Sequence, residues 1–180
     1  MVIAGRPFNI YFWGALAVTL LCGCQNVETW QKKPFSTLGV HLEANRDTPE
    51  RNELVPISRD HPLMVNVEKS PFLDQGHLKE ASIIDVRGGF ALRLQFDRRG
   101  TWLLEQYSTA NLGKHFAIFS QFPSPPDAKL NQGRWLAAPR INQRIPDGVL
   151  TFTPDATREE AEQIVLGLNN VAKQLKKGSE

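Results

Sequence analysis

The alternation of apolar and polar positions is clearest midway along the chain. Ala81 to Val86 and Phe90 to Phe96 flank Gly88-Gly89, and Phe90, Leu92, Leu94 and Phe96 share one face of the second arm. Ala91, Arg93 and Gln95 share the other face. A period of two on either side of a glycine pair predicts a β-hairpin with one buried side. Ser36 to Glu43 alternates weakly and reads as a first strand. Leu54 to Ile57 and Leu63 to Val67 are short β-rich runs. Pro56 has no N–H to give to a ladder, which places the first of these two runs at an edge. Phe116 to Phe119, Arg134 to Ala138 and Val149 to Phe152 read as further strands. Ala44 to Asn52 and Pro71 to Glu80 read as connections. Ser120 to Gly133, with Pro123, Pro125 and Pro126, is expected to be irregular.

Two stretches switch to the helical period. Asp97 is placed to cap a helix over Arg98 to Ala110, with Trp102, Leu103, Leu104, Tyr107 and Ala110 as its apolar side. Asn111-Leu112-Gly113 ends it. Thr157-Arg158-Glu159-Glu160 is a capping-box sequence, in which the threonine oxygen takes the Glu160 amide and the glutamate returns to the threonine amide. Ala161, Ile164, Val165, Leu168, Val171, Ala172 and Leu175 then recur on one face. Glu159, Glu160 and Glu162 sit at the positive end of that helix dipole, and Lys173, Lys176 and Lys177 at the negative end. Grouped strands with two sheet-covering helices predict an α+β fold, a mixed or antiparallel sheet packed with two helices.

The N-terminus follows a different pattern. Arg6 is the only charged side chain before an apolar run from Ile10 to Leu21, followed by Cys22-Gly23-Cys24 and polar Gln25-Asn26. A basic start, a short apolar segment and small residues before the cut define a signal peptide, and the run falls short of the ~20 residues of a span. Leu21-Cys22-Gly23-Cys24 resembles the lipobox of bacterial lipoproteins. The resemblance implies that Cys24 becomes the first mature residue and carries lipid, palmitate included, on its thiol and amine. The expected organisation is a signal peptide over 1–23, a lipidated cysteine and tether over 24–35, and one domain over 36–177. Gln25 is not the aspartate that retains many lipoproteins at the inner membrane of Gram-negative cells. The expected location is therefore the outer membrane, facing the periplasm.

Charge and cysteine content narrow the function. The chain has 21 basic and 19 acidic residues, and cleavage would remove only Arg6. That balance argues against a nucleic-acid partner, which calls for a concentrated basic face. Cys22 would be discarded and Cys24 acylated, so thiolate chemistry and cysteine-based metal sites are excluded from the folded domain. His41, His61, His77 and His115 are widely spaced with no metal-ligand motif, and there is no Gly-x-Ser-x-Gly elbow. No catalytic, cofactor-binding or metal-binding residue is therefore assigned.

From Phe72 onward the chain resembles the head part of the first periplasmic domain of SecD and SecDF. The likeness begins over Leu73 to Ser82 and strengthens at Leu92-Arg93-Leu94-Gln95-Phe96-Asp97-Arg98-Arg99-Gly100, an alternating strand running into a Phe-Asp-x-x-Gly helix entry. It continues at Thr109, at Gly113-Lys114-His115-Phe116-Ala117-Ile118, at Ala138-Pro139-Arg140-Ile141 and at Ile145-Pro146-Asp147-Gly148. It ends at Thr157-Arg158-Glu159-Glu160-Ala161. Three departures stand out. The membrane-spanning helices of the family are missing, the proline-rich Ser120–Gly133 segment replaces a short turn, and Leu168-Asn169-Asn170 replaces the family ending.

The resemblance implies a SecDF-head-like fold and a ligand in the form of extended polypeptide. The expected function is a membrane-anchored, noncatalytic binding or scaffolding lipoprotein of the cell envelope. Phe122, Arg134 and Trp135, beside the proline-rich segment, are the candidate partner-binding residues, since Trp and Arg are enriched in interface hot spots. The alternative is an envelope hydrolase with a dispersed active site, which a pocket gathering His77, Asp97 or His115 would favour.

Overall fold

The computed structural model describes residues 34–45, 50–123 and 131–178, all within one compact unit. Nine strands and two helices follow in order: β1 (Gly39–Leu42), β2 (Asn52–Ile57), β3 (Leu63–Glu68), β4 (Leu73–Asp74), β5 (Leu78–Val86) and β6 (Gly89–Phe96), then α1 (Arg98–Ala110), β7 (Phe116–Pro123), β8 (Asn131–Ala137), β9 (Val149–Phe152) and α2 (Arg158–Lys177). All strand pairs are antiparallel. The described residues form a four-stranded sheet in the order β4-β1-β7-β8, a three-stranded sheet β5-β6-β9 and the two-stranded β2–β3 hairpin. This is the expected α+β class.

The four-stranded sheet is covered on both sides. Val40, Leu42, Phe116, Ile118 and Phe122 join the main core with Leu92, Leu94 and Phe96 of β6, Leu104 of α1 and Ile164 and Leu168 of α2. On the reverse side Ala117 packs with Val55, Ile57, Val65 and Val67 of the β2–β3 hairpin, and half-buried Trp135 and Ala138 close this smaller core. A strand covered on both faces shows no clean alternation. All four residues of β1 are buried, which is why its pattern is weak and its observed length shorter than Ser36 to Glu43.

Both helix starts form as the residues dictate. The Asp97 carboxylate accepts from the Gly100 amide at 2.7 Å. Gly100 is required there, because an added Cβ would lie 2.9 Å from Cβ of both His77 and Phe96. Thr157 and Glu160 complete the capping box of α2.

Several boundaries differ from expectation. The turn of the β5–β6 hairpin is Arg87-Gly88, since Val86 pairs with Gly89. Pro71 to Glu80 is not only a connection: it contains β4, a 3₁₀ turn over Gln75–His77 and the start of β5. Ser120 to Gly133 is not irregular throughout, because β7 runs to Pro123 and β8 begins at Asn131, with Gln121 opposite Gly133. Residues 124–130, with Pro125 and Pro126, lie outside the described residues. Trp102 and Ala110 of α1 are exposed, and its buried stripe is Gly100, Leu104 and Ser108. Leu175 is also exposed, at the end of α2.

Candidate functional site

The three candidate partner-binding residues lie close together in sequence and face different surroundings. Phe122 is fully buried in the main core, so its ring is unavailable to a partner of the folded domain. The Arg134 guanidinium stacks 5.4 Å from that ring. Its two terminal nitrogens donate to both carboxylate oxygens of Glu160, at 2.9 and 2.8 Å, to the Asp155 carbonyl and to the Gln132 side chain. Arg134 is thus a structural clamp between β8 and the start of α2. Trp135 points to the opposite side of the sheet, half-buried, with its ring 5.0 Å from His41 and 5.2 Å from Phe119. Sequence reasoning placed these residues beside the proline-rich segment; their actual surroundings follow from the longer β7–β8 pairing.

The clamp extends to the hairpin. The Arg59 amide and Nε donate to the Asp155 carboxylate at 2.9 and 3.1 Å, and its guanidinium lies 3.9 Å from Glu160. Ser58, the residue before it, is the only non-glycine with positive φ among the described residues, at 75°. A serine there is disfavoured, and the Arg59–Asp155 contacts hold it in place. The bonds from Arg134 hold the Glu160 carboxyl below the usual carboxylate range. The Thr157 amide and the charges of Arg134 and Arg59 act the same way, and partial burial opposes them.

Ser58 and Asp155 border a groove of about 500 Å³ between the end of the β2–β3 hairpin and the corner where β8 and β9 end. Its floor is apolar: Ile57, Leu136 and Phe152 are buried, with Ala138 and Pro154 beside them. Leu63 on the rim is half exposed, and so is its neighbour Met64. A second concavity, near Asn45 and Ser70, is lined by charges of both signs from Glu50, Arg51, Glu68, Lys69 and Lys114. The β2–β3 groove offers apolar surface with a single ionisable side chain, Asp155, in its lining.

The residues that would mark a hydrolase have structural roles. His77 Nδ1 is 3.1 Å from the Asp74 carboxylate, and the His77 carbonyl accepts from the Asp97 amide. The Asp97 side chain caps α1. His115 Nδ1 and its backbone amide both contact Glu43 Oε2, at 2.7 and 2.9 Å. None of the three lines the β2–β3 groove. No group of three or more potential metal ligands occurs among the described residues. Cys24 lies outside the described residues.

Residues 52–172 match the SecDF P1 head subdomain. The chain belongs to that family. The solved structures agree on the fold. A structure described as "Structure and function of a membrane component SecDF that enhances protein export" aligns at a TM-score of 0.51 and 19% identity, covering 76% of this chain and 63% of that one. SecDF in a super-membrane-facing form aligns at 0.51 and 21% identity, over 76% of this chain and 19% of its own. The chain therefore spans less than two thirds of either relative. No curated protein matches it. No described helix is long and apolar enough to cross a membrane.

The family motifs have physical reasons here. The Ala138–Ile141 segment runs beside the start of β7: the Phe116 amide donates to the Pro139 carbonyl and the Ile141 amide to the Lys114 carbonyl. Where the family ending is missing, Asn169 accepts from the Ala81 amide and donates to the Ala81 carbonyl, both at 2.9 Å. Its neighbour Asn170 donates to the Pro34 carbonyl. Sequence reasoning gave Asn169 and Asn170 no role. Two adjacent amides on one helix, each able to satisfy backbone groups, were the available signal.

Proposed function

We propose that this chain is a lipid-anchored envelope protein whose SecDF-head domain holds extended polypeptide segments without chemical catalysis. The observation that carries this reading is the apolar groove under the β2–β3 hairpin in a member of this family. A SecDF relative is described as enhancing protein export. An extended chain suits a groove of this kind, since its side chains alternate between pocket and solvent while its backbone can hydrogen-bond to exposed strand groups. Lipid on Cys24 would keep the domain at the membrane surface, with the outer membrane and a periplasmic orientation expected from Gln25. Two or more acyl chains make such an anchor stable.

The anchor is tested directly by Cys24→Ser. This variant is expected to lose incorporated lipid and to accumulate as unprocessed or soluble protein. Normal lipid labelling and membrane recovery would refute the anchor and leave the groove reading intact.

A further inference from the structure

The outer face of α2 carries a feature that the groove does not use. Leu166, Asn170, Lys173 and Lys177 recur at i, i+4, i+7 and i+11, a single stripe along the helix. Leu166 is 48% exposed, and Lys173 and Lys177 are exposed and form no ion pair among the described residues. The opposite face, through Ile164, Leu168 and Ala172, fills the core. The acidic residues on the outer side, Glu159 and Glu162, belong to the first turns. The second half of the stripe is therefore basic.

The described chain begins against the same helix. Asn170 donates to the Pro34 carbonyl at 3.0 Å, and Ser36 Oγ to the Gln163 carbonyl at 3.4 Å. Gly167 permits this crossing, because an added Cβ would come within 2.2 Å of Ser36 Oγ and 2.6 Å of its amide nitrogen. Phe35, in the middle of the crossing, is 54% exposed. Two large apolar side chains, Leu166 and Phe35, and two lysines that form no ion pair among the described residues thus belong to α2 and to the segment that crosses it. Nine residues lie between Cys24 and Pro34, and the ten steps from one to the other allow at most about 35 Å of reach.

We propose that the second half of the α2 outer face, with Phe35, rests on the anionic headgroups of the membrane that anchors the chain. The proposal depends on the lipid-anchor reading for its setting. Exposed apolar residues beside lysines are the composition of interfacial helix surfaces, and lysines near an anionic bilayer are attracted within a Debye length. Pinning this face to the membrane would fix the orientation of the domain on its tether.

The test separates this orientation from acylation in cells. Residues 24–180, whose single cysteine is Cys24, are coupled through that thiol to maleimide-headgroup lipids in vesicles. The vesicles are rich either in phosphatidylglycerol or in phosphatidylcholine. Amine-reactive footprinting is then read at each lysine by mass spectrometry. On phosphatidylglycerol, labelling of Lys173 and Lys177 is expected to fall by about tenfold, while Lys69, Lys79 and Lys114 react as in solution. Phosphatidylcholine should give no such protection. Leu166→Glu, which leaves the core untouched, should restore labelling of both lysines without lowering the melting temperature. Uniform labelling of all lysines, equal protection on both lipids or unchanged protection in Leu166→Glu would overturn the proposal. Because the anchor is supplied chemically, failure here is distinct from failure of Cys24 acylation, which lipid labelling of Cys24→Ser reads separately.

Discussion

Glu160 ties the start of α2 to both arginines of the charge network. One carboxylate caps α2, pairs with Arg134 and faces Arg59. Glu160→Gln would leave Arg134, whose side chain is 16% exposed, without its charge partner. The expected loss is about 2–3 kcal/mol, below the range for a fully buried pair. Arg59→Ala should cost about 1 kcal/mol or less, because its side chain is half exposed and solvent screens the pair. The Glu160 carboxyl is held below its ordinary value of 4.5. Its contribution is therefore fully present above that value and is lost as the pH falls through the depressed folded value. Urea melts from about pH 6 to pH 3 should show an acid limb that is shallower in Glu160→Gln than in the parent. An unchanged limb would show that Glu160 does not carry this pH dependence.

At the scale of elements, α2 is the part most legible in the chain. Its capping box and apolar stripe predict both its start and its buried face. Leu168 is 1% exposed and Leu166 is 48% exposed. Leu168→Ala should destabilise by ~2–5 kcal/mol and Leu166→Ala by far less, as measured by chemical denaturation. Equal losses would contradict the orientation of the helix. Gly167→Ala tests the crossing of the chain over α2. Alanine normally gains up to about 1 kcal/mol in a helix, but here its methyl meets Ser36, and a net loss of about 1–3 kcal/mol is expected. The strands of the two-faced sheet were harder to read. Burial on both sides removes alternation from β1, and the prolines of the Ser120–Gly133 segment hid a pairing that continues to Pro123 and Asn131. Trp102 was misplaced because large apolar type and helical spacing do not decide which side meets the core; Leu104 and the small residues Gly100 and Ser108 do. The candidate site was the least legible part. The groove is made by the ends of four strands and by a loop held at Ser58, and no local motif joins Ile57, Leu136 and Phe152. The charge network was equally hidden, because Arg59, Arg134 and Glu160 meet only after folding.

Across the whole molecule, the domain has two cores on the two sides of one sheet, with the hairpin over the smaller core and bordering the groove. The family match over residues 52–172 includes strands of both cores, and the smaller core positions apolar surface beside the Arg59–Asp155 contact. This division predicts that groove-rim substitutions alter binding without unfolding the domain. Leu63→Glu with Met64→Glu changes two half-exposed side chains, so the melting temperature should move little. The most direct measurement compares binding of a permanently unfolded polypeptide, such as a reduced and carboxymethylated protein, with binding of the same protein in its folded form. The account predicts that the parent domain binds the unfolded form and not the folded one, and that the double variant binds about tenfold or more weakly, the equivalent of 1.4 kcal/mol. Equal binding of folded and unfolded forms, or undiminished binding by a folded Leu63→Glu/Met64→Glu variant, would contradict it.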